Sequence, residues 1–344
     1  MLNENKKCNM KKLFIPGMLI AMLAFVSCSQ RPTKELTSAS EDGSSKKASV
    51  VYVTRQITPS SLVKIYEALG RKAKGRVAVK ISTGESGNPN YLKPELIKDL
   101  VEKVNGTIVE CNTAYGGKRN TFKEHWETIR EHGFSPLFRV DLMDEEGEIK
   151  IPVKDTRHIK YDIVGSHIKN YDFMINLAHF KGHPMGGLGG VLKNASIGVA
   201  SANGKANIHT AGYQEVVEGM WGHVENQDGF LESMAAAAQA VHDYFDNGKK
   251  ILYIAVMNNM TVDCDCVASP EPVKMKDYGI LASLDPVALD QACVDIVFNM
   301  QPSEGNDNRP LVERINRQHG TLTIDHAAAI GLGSKQYKLV SIDR

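Results

Sequence analysis

Short apolar runs alternate with amphipathic segments along residues 49–344, which is typical of an α/β sheet. Apolar or β-branched runs predict strands at 77–81, 107–111, 173–177, 251–257 and 336–342. Helical periodicity and end signals predict helices that begin at Pro94, that follow Thr121, and that cover 232–246 and 287–298. The predicted fold is two Rossmann-like α/β lobes, residues 49–160 and 161–344, with a cleft between them.

Local signals refine several of these elements. Thr121 and Glu124 form a capping box ahead of a helix that ends at Gly133, and Asp285 caps the helix over 287–298. The apolar runs at 138–143 and 148–153 flank a Glu-Glu-Gly sequence. That arrangement predicts a β-hairpin.

The N-terminus carries an export signal. Four lysines precede the apolar run at 13–26, which is too short to span a bilayer comfortably and ends at Ser27-Cys28. Residues 1–28 are therefore predicted to be a lipoprotein signal peptide with Cys28 as the lipidated residue; an uncleaved anchor and a non-lipidated signal are the alternatives. Ser-rich residues 29–48 predict a flexible tether. The protein is expected to be exported and membrane-anchored, facing the periplasm.

Charge and cysteine content exclude two classes of protein. Lys and Arg total 41 and Asp and Glu total 40, so no basic excess exists for nucleic acid. Signal removal discards Cys8 and lipidation uses Cys28, which leaves four of the six cysteines. Four are too few for a disulfide-built scaffold in a chain of this length, so a large apolar core is expected.

Two glycine-rich segments follow predicted strands, and ligands bind outside the carboxyl ends of strands in open α/β sheets. The segment at 84–91 contains Glu85 and Asn88, and the segment at 111–120 contains Lys118 and Arg119. Both precede a predicted helix, where an anionic group is favourably placed. Ordinary structured turns are the alternative, and for Lys118 alone that alternative is preferred.

The segment after the strand at 173–177 carries the densest chemistry. Histidine suits metal binding or proton transfer, glycine lets a ligand approach the backbone, and lysine can hold an anion. The residues predicted to form the site are His179, His183, Gly187, Gly189, Gly190, Lys193 and, sixteen residues further on, His209. A lone buried histidine is usually structural, but this density favours a functional site for a small anionic ligand.

A Cys-x-Cys pair, Cys264 and Cys266, lies soon after the strand at 251–257. With neighbouring carboxylates it could bind a metal ion, completed by Cys111, Cys293, His179 or His183. A disulfide elsewhere in the fold and inert buried thiols remain equally compatible with the sequence.

Five motifs together resemble the domain of unknown function 362 family, whose members are often called iron–sulfur centre proteins. They are GESGNPNYLKPELI (84–97), ECNTAYGGKRN (110–120), HFKGHPMGGLGGVLKNASIG (179–198), VDCDC (262–266) and GILASLDPVALDQACVD (279–295). Many members carry an inserted ferredoxin module after the position of His209. Residues 210–230 contain no cysteine here, so no ferredoxin-type iron–sulfur cluster is expected.

The spacing of His183, Lys193 and His209 is also similar to the lactate racemase family, which uses a nickel-pincer nucleotide. That resemblance implies a cofactor anchored on Lys193, nickel bound by His209 and proton transfer by His183. The racemases' Asp-x-Thr-Arg-Pro motif and upstream catalytic histidine have no match. The site architecture can therefore be shared without the same cofactor.

The leading functional hypothesis is a metal- or cofactor-dependent protein that acts on a small anionic ligand. His183 and Lys193 are its catalytic candidates. His179, His209, Cys264 and Cys266 are its candidate ligands for nickel, iron or zinc. Lys193, the three glycines, Glu85, Asn88 and Arg119 would hold the cofactor. A non-catalytic metal- or ligand-binding lipoprotein is the main alternative, and a degenerate protein that works through surface contacts is the third.

Overall fold

The computed structural model describes residues 48–343. The predicted signal peptide, Cys28 and tether residues 29–47 lie outside the described residues, so these assignments stay predictions. No helix in the described range is long and apolar enough to cross a membrane.

Strands and helices alternate along the described chain. The strands are β1 Ser49–Thr54, β2 Val77–Lys80, β3 Thr107–Glu110, β4 Val140–Leu142, β5 Glu148–Pro152, β6 Tyr161–Gly165, β7 Phe173–His179, β8 Lys181–His183, β9 Gly187–Gly189, β10 Ile251–Met257, β11 Gly279–Ser283 and β12 Tyr337–Ser341. The helices are α1 Pro59–Ala68, α2 Pro94–Lys103, α3 Phe122–Glu131, α4 Val191–Ala195, α5 Ala202–His209, α6 Gln227–Tyr244, α7 Pro286–Asn299, α8 Arg309–Arg317 and α9 Leu322–Ala329.

Eight strands form one sheet in the order β12-β1-β11-β10-β7-β2-β3-β4. The run from β10 to β4 is parallel, with Ile254 opposite Leu177 and Ala78 opposite Met174, whereas β11 is antiparallel to both of its neighbours. The predicted α/β class and the five predicted strands are confirmed. Because the parallel strands share one direction, the loops after β2, β3, β7 and β10 leave from the same edge.

Alternating side chains divide the core into two layers on opposite faces of the sheet. In β10, Leu252, Ile254 and Val256 pack into the layer that contains α1, α2 and α3. Tyr253 and Ala255 pack into the layer that contains α4, α6 and α7. All seven residues of β10 are buried, as expected for a parallel strand covered on both faces.

Two predictions about the arrangement of the strands, the hairpin at 138–153 and the division into two lobes, need revision. The hairpin of 138–143 with 148–153 is wrong, because β4 pairs in parallel with β3 and β5 pairs with β6. Apolar runs predict that strands exist, but tertiary packing chooses their partners. The division into two lobes with a cleft is not confirmed: strands from both sides of residue 160 hydrogen-bond into a single sheet.

One buried carboxylate should make stability depend on pH. Asp162 in β6 is fully buried, and both its carboxylate oxygens lack a hydrogen-bond partner within residues 48–343. Burial raises the pKa of Asp162 to about 8, against the opposing charge of Lys205. The pKa of Asp162 is higher in the folded protein than in the unfolded chain. The stabilisation from the protonated Asp162 is therefore complete below about pH 4 and is lost as pH rises toward 8.

Replacing Asp162 with Asn should flatten this dependence, since the amide does not ionise. The free energy of unfolding of the wild type should fall by up to ~1.4 kcal/mol per pH unit between pH 5 and 8 from this group alone. Urea unfolding at both pH values measures the slope, with exposed Asp246→Asn as the control. An unchanged slope in Asp162→Asn would show that Asp162 ionises normally in the folded protein.

Candidate functional site

A cavity of ≈ 70 Å³ lies at the carboxyl ends of β2, β3, β7 and β10. All three segments that the sequence placed after β3, β7 and β10 contribute to its wall. The charged residues that line it are Lys80, Glu110, Arg119, Lys181, Lys193, Lys205 and Asp265. The topology therefore brings residues distant in sequence to one edge of the sheet, as expected for this fold class.

Cationic side chains outnumber carboxylates on the cavity wall by five to two. Glu110 pairs with Lys80 (2.8 Å) and Arg119 (3.5 Å), and Asp265 pairs with Lys181 (2.8 Å). Neither Lys193 nor Lys205 forms an ion pair with a carboxylate of the described chain. Lys205 Nζ donates to the carbonyl of Ala200 instead. The cavity is consequently electropositive.

Lys193 is held on a short helix whose start is fixed by a carboxylate. The Oδ atoms of Asp290, from α7, accept hydrogen bonds from the backbone N–H groups of Val191 (2.8 Å) and Leu192 (2.9 Å). A Cβ on Gly190 would lie 2.2 Å from Asp290 Oδ1, so only glycine permits this approach. Asp290 thus fixes the start of α4 and with it the position of Lys193.

Lys193 is half-buried and lines the cavity, and its amine makes no hydrogen bond or ion pair within the described chain. Burial, followed by repulsion from Lys181, lowers the pKa of Lys193 to about 7. Asp265 opposes this shift. The titration of the amine is therefore brought close to neutral pH.

Glu110, on the cavity wall, and Glu85, behind it, form a buried frame that holds the cations. Glu110 also accepts hydrogen bonds from the backbone N–H and the hydroxyl of Thr83. Burial alone would raise the pKa of Glu110, but the charges of Lys80 and Arg119 lower it to about 2. Glu85 pairs with Arg119 at 3.4 Å and accepts from the backbone N–H of Lys118. Glu85 therefore positions Arg119 from behind the cavity wall.

Two other predicted residues lie away from the cavity. Asn88 Nδ2 donates to the carbonyl of Val267 at 2.7 Å and so ties its loop to the cysteine loop. The Lys118 ammonium forms a surface ion pair with Glu124 at 2.8 Å. This agrees with the preferred interpretation of Lys118 as a solvated basic turn residue. Asn88 also does not line the cavity, and its hydrogen bond holds two loops together.

His179 has no free ring nitrogen. Its Nδ1 lies 2.8 Å from Asp265 Oδ1, and its Nε2 lies 2.6 Å from the carbonyl oxygen of Asn258. Both nitrogens are directed at oxygen atoms of the protein, so neither is oriented toward a metal ion. Despite burial, His179 and Lys181 hold the pKa of Asp265 well below its usual range. This triad anchors the cysteine loop to the end of β7.

His183, on β8, is oriented by its own turn. Its Nδ1 accepts hydrogen bonds from the backbone N–H groups of Met185 (3.2 Å) and Gly186 (2.8 Å). An accepting Nδ1 places the proton of the neutral ring on Nε2. Burial, then the charge of Lys193, keeps the pKa of His183 well below its usual range. His183 is thus a neutral imidazole that presents an N–H donor.

His209, on α5, has the opposite tautomer. Its Nδ1 donates to the carbonyl oxygen of Lys205 at 2.7 Å, and its ring stacks on Phe230. Burial lowers the pKa of His209 to about 4, so the ring is neutral and Nε2 keeps its lone pair. No group of three potential metal-binding side chains in residues 48–343 includes His209.

Cys264 and Cys266 form a disulfide on the cavity wall. Of the four side chains that the sequence offered to complete a metal site, His183 alone among the described residues joins them, with ligand atoms within 4.8 Å of one another. Cys111 and Cys293 are buried free thiols. This group could hold a metal ion only when the two sulfurs are reduced, because a disulfide offers no thiolate.

The three predicted glycines have different roles. Gly189 and Gly190 line the cavity. Gly187 has φ +74° and packs against the backbone of Gly320, where a Cβ would approach to 2.8 Å. Only two of the three therefore face a ligand.

Four charged residues that line the cavity had no predicted role. They are Lys80, Glu110, Lys181 and Lys205. Asp265 was predicted only as a carboxylate beside the two cysteines of a possible metal site. Lys80 and Glu110 each end an apolar strand, at the edge where the sheet presents its loops. A charge in that position was an available signal.

A nucleotide-sized cofactor does not fit this cavity. Ligand pockets for such molecules occupy about 300–1,000 Å³. The ≈ 70 Å³ found here suffices for a few waters at roughly 10–15 Å³ each, or for a small anion. The nucleotide that the racemase resemblance implied on Lys193 is therefore not supported.

Comparisons with known proteins give one family and several distantly similar solved structures. The model of the family described as Domain of unknown function (DUF362) matches residues 77–295. No curated protein sequence matches the chain significantly.

Similar solved structures include the lactate racemase apoprotein from Thermoanaerobacterium thermosaccharolyticum, with 13% identity and a TM-score of 0.34 over 60% of this chain and 50% of that chain. A protein from Thermotoga maritima is 11% identical, with a TM-score of 0.38 over 79% of this chain and 58% of that chain. The matches thus span half to three fifths of those proteins, and such TM-scores carry no argument about a shared ligand or reaction.

Proposed function

This chain belongs to the family described as Domain of unknown function (DUF362), as its motifs predicted, and we propose that it binds a small anionic ligand in the cavity around Lys193. The ligand class is a carboxylate or a compact oxyanion such as phosphate. The observation that carries the proposal is the uncompensated amine of Lys193 on a wall with five cations and two carboxylates.

Electrostatics favours this ligand class. Assembling cations in a buried site costs free energy, which the lowered pKa of Lys193 expresses. An anion would offset that cost and favour the protonated amine, which takes its proton from solvent and forms a charge-assisted hydrogen bond. The Nε2–H of neutral His183 adds a second donor near the same wall.

Isothermal titration tests the proposal on the folded protein. Phosphate, acetate and lactate would be titrated at low ionic strength, with methylammonium as the cationic control. We expect at least one of the anions to bind stoichiometrically and methylammonium not to bind. Absence of binding for every anion would contradict the proposal.

Catalysis remains the proposed use of this binding, with Lys193 on the cavity wall and His183 beside it, its Nε2 4.0 Å from Cys266 Sγ, as the catalytic candidates. The neutral His183 ring would act as a hydrogen-bond donor that polarises the ligand, because its Nδ1 is already engaged by two backbone N–H groups. Conversion of a bound anion, followed by nuclear magnetic resonance, supports an enzyme. Tight binding without conversion favours a capture or delivery protein.

Metal binding is the second candidate, since the described residues allow a metal ion at His183, Cys264 and Cys266. It fits less well. Coordination through Nε2 requires the ring proton on Nδ1, which here faces two N–H donors. Metal content by inductively coupled plasma mass spectrometry, on reduced protein from its native membrane, decides between them. Stoichiometric nickel, iron or zinc supports the metal site, and its absence leaves the anion site alone.

We propose further that the mature chain is an exported lipoprotein, anchored through Cys28 and facing the periplasm. Replacing Cys28 with Ser should abolish acylation, because serine lacks the thiol that receives the lipid. Metabolic labelling with a fatty-acid probe and membrane fractionation measure this, with Cys8→Ser as the control within the signal peptide. Labelling of Cys28→Ser equal to that of the wild type would contradict lipidation.

A further inference from the structure

We propose that the Cys264–Cys266 disulfide is redox-active and exchanges with small anionic thiols that enter the cavity around Lys193. The charge preference rests on the proposed anion site, whereas the exchange itself rests on the disulfide and its neighbours.

The disulfide is expected to contribute little to the stability of the fold, because of its position in the chain. It joins residues two apart in the sequence, and a disulfide that closes so short a loop constrains the unfolded chain least. The loop is already held without it: Asp265 is anchored by His179 and Lys181, and Asn88 binds the Val267 carbonyl. The loop can therefore keep its place when the disulfide is reduced.

The two sulfurs differ in access. Cys264 is buried, with 3% of its surface exposed, whereas Cys266 is half-buried. Both line the cavity. An incoming thiolate therefore reaches Cys266 first, and Cys264 is the leaving sulfur.

Each sulfur has a donor that can stabilise negative charge. The backbone N–H of Cys266 donates to Cys264 Sγ at 3.3 Å. The Nε2 of His183, which carries the ring proton, lies 4.0 Å from Cys266 Sγ. Cationic side chains on the same wall, Lys181 and Lys193, favour a thiolate there as well.

The exchange then balances in two steps. A substrate thiolate attacks Cys266 Sγ, the protein S–S bond breaks, and its electron pair goes to Cys264, which takes a proton from water. A second substrate thiolate attacks the substrate sulfur of the mixed disulfide and releases Cys266 as a thiolate, which is then protonated. Two thiols are oxidised to one disulfide, and the protein disulfide is reduced to two thiols.

The test compares three small thiols on folded wild-type protein at equal thiolate concentration: anionic 3-mercaptopropionate, neutral 2-mercaptoethanol and cationic cysteamine. Reduction is followed by alkylation and mass spectrometry of the tryptic peptide 251–274, which contains both cysteines. We expect the anionic thiol to react about tenfold faster than the neutral one. Lys193→Met should lose most of this preference, whereas surface Lys118→Met should keep it.

Single-cysteine variants identify the attacked sulfur. Cys264→Ser, incubated with 3,3′-dithiodipropionate (the disulfide of 3-mercaptopropionate), should form a mixed disulfide on Cys266 and release one 3-mercaptopropionate, whereas Cys266→Ser should form far less of it on buried Cys264. Faster capture by Cys264 would overturn the assignment.

Two results would overturn the proposal itself, and they are distinguishable. Resistance of the folded protein to all three thiols, while phosphate still binds in titration, would remove the redox activity and leave the anion site. Equal reduction by all three thiols would remove the anionic thiol as substrate.

Discussion

Replacing Lys193 with Met should weaken binding of a small anion by about a hundredfold, because a hydrogen bond to a charged group in a desolvated site contributes roughly 1.5–3 kcal/mol. Methionine has a similar shape and no charge, so it fills the same space on α4. The variant should also resist urea better than the wild type, because it removes one cation from a cavity wall with five cations and two carboxylates and so relieves repulsion. Isothermal titration and urea unfolding measure the two effects.

The matched control is Lys118→Met, which removes a lysine from the surface ion pair with Glu124. It should leave anion affinity unchanged, because Lys118 does not line the cavity. Equal loss of affinity in both variants would indicate general charge attraction rather than a site. Unchanged affinity in Lys193→Met would remove Lys193 from the account.

The pH dependence of binding gives the same residue a second signature. The free amine must gain a proton to pair with an anion, and its pKa in the empty cavity is about 7. Affinity should therefore be nearly constant below pH 7 and should fall by up to about tenfold per pH unit above it. Lys193→Met should show no such fall.

Replacing Glu110 with Ala should lower the free energy of unfolding by about 3–5 kcal/mol, the usual cost of breaking a buried ion pair. The reason is the charge left behind: Lys80 and Arg119 lose their shared carboxylate, and both are almost fully buried. Thr83 also loses the acceptor for its backbone N–H. Urea unfolding at neutral pH measures the change.

The control for Glu110 is Glu124→Ala, which breaks the exposed pair with Lys118 and should cost less than ~1 kcal/mol. The pH dependence has a definite sign. The folded pKa of Glu110, about 2, lies below its unfolded value, so its contribution is complete above about pH 5 and is lost as pH falls toward 2. An equal loss of unfolding free energy in Glu110→Ala and Glu124→Ala would show that Glu110 does not hold the buried cations in place.

Sequence patterns predicted the elements of this fold well and their pairing poorly. The strand at 251–257 is apolar throughout and the helix after Asp285 has its cap, so both follow from local signals. The hairpin at 138–153 failed because β4 finds its partner in β3, thirty residues earlier. Local alternation contains no information about such a partner.

The candidate site shows the same division. Glycines, histidines and a lysine at 179–194 indicated a segment that contributes to the cavity wall, where Lys193 and Gly190 lie. Both ring nitrogens of His179 are engaged by residues far along the chain, Asp265 and Asn258. Asp290, which fixes the start of α4, comes from a helix about a hundred residues away. These contacts could not be predicted from spacing.

The most direct test of the central claim is competitive acetylation of the folded wild type at a series of pH values, with the lysines quantified by mass spectrometry. The account predicts an apparent pKa of about 7 for Lys193, in contrast to exposed Lys118, and protection of Lys193 by a bound anion. An ordinary lysine pKa at Lys193, with acetylation unaffected by any small anion, would contradict the account.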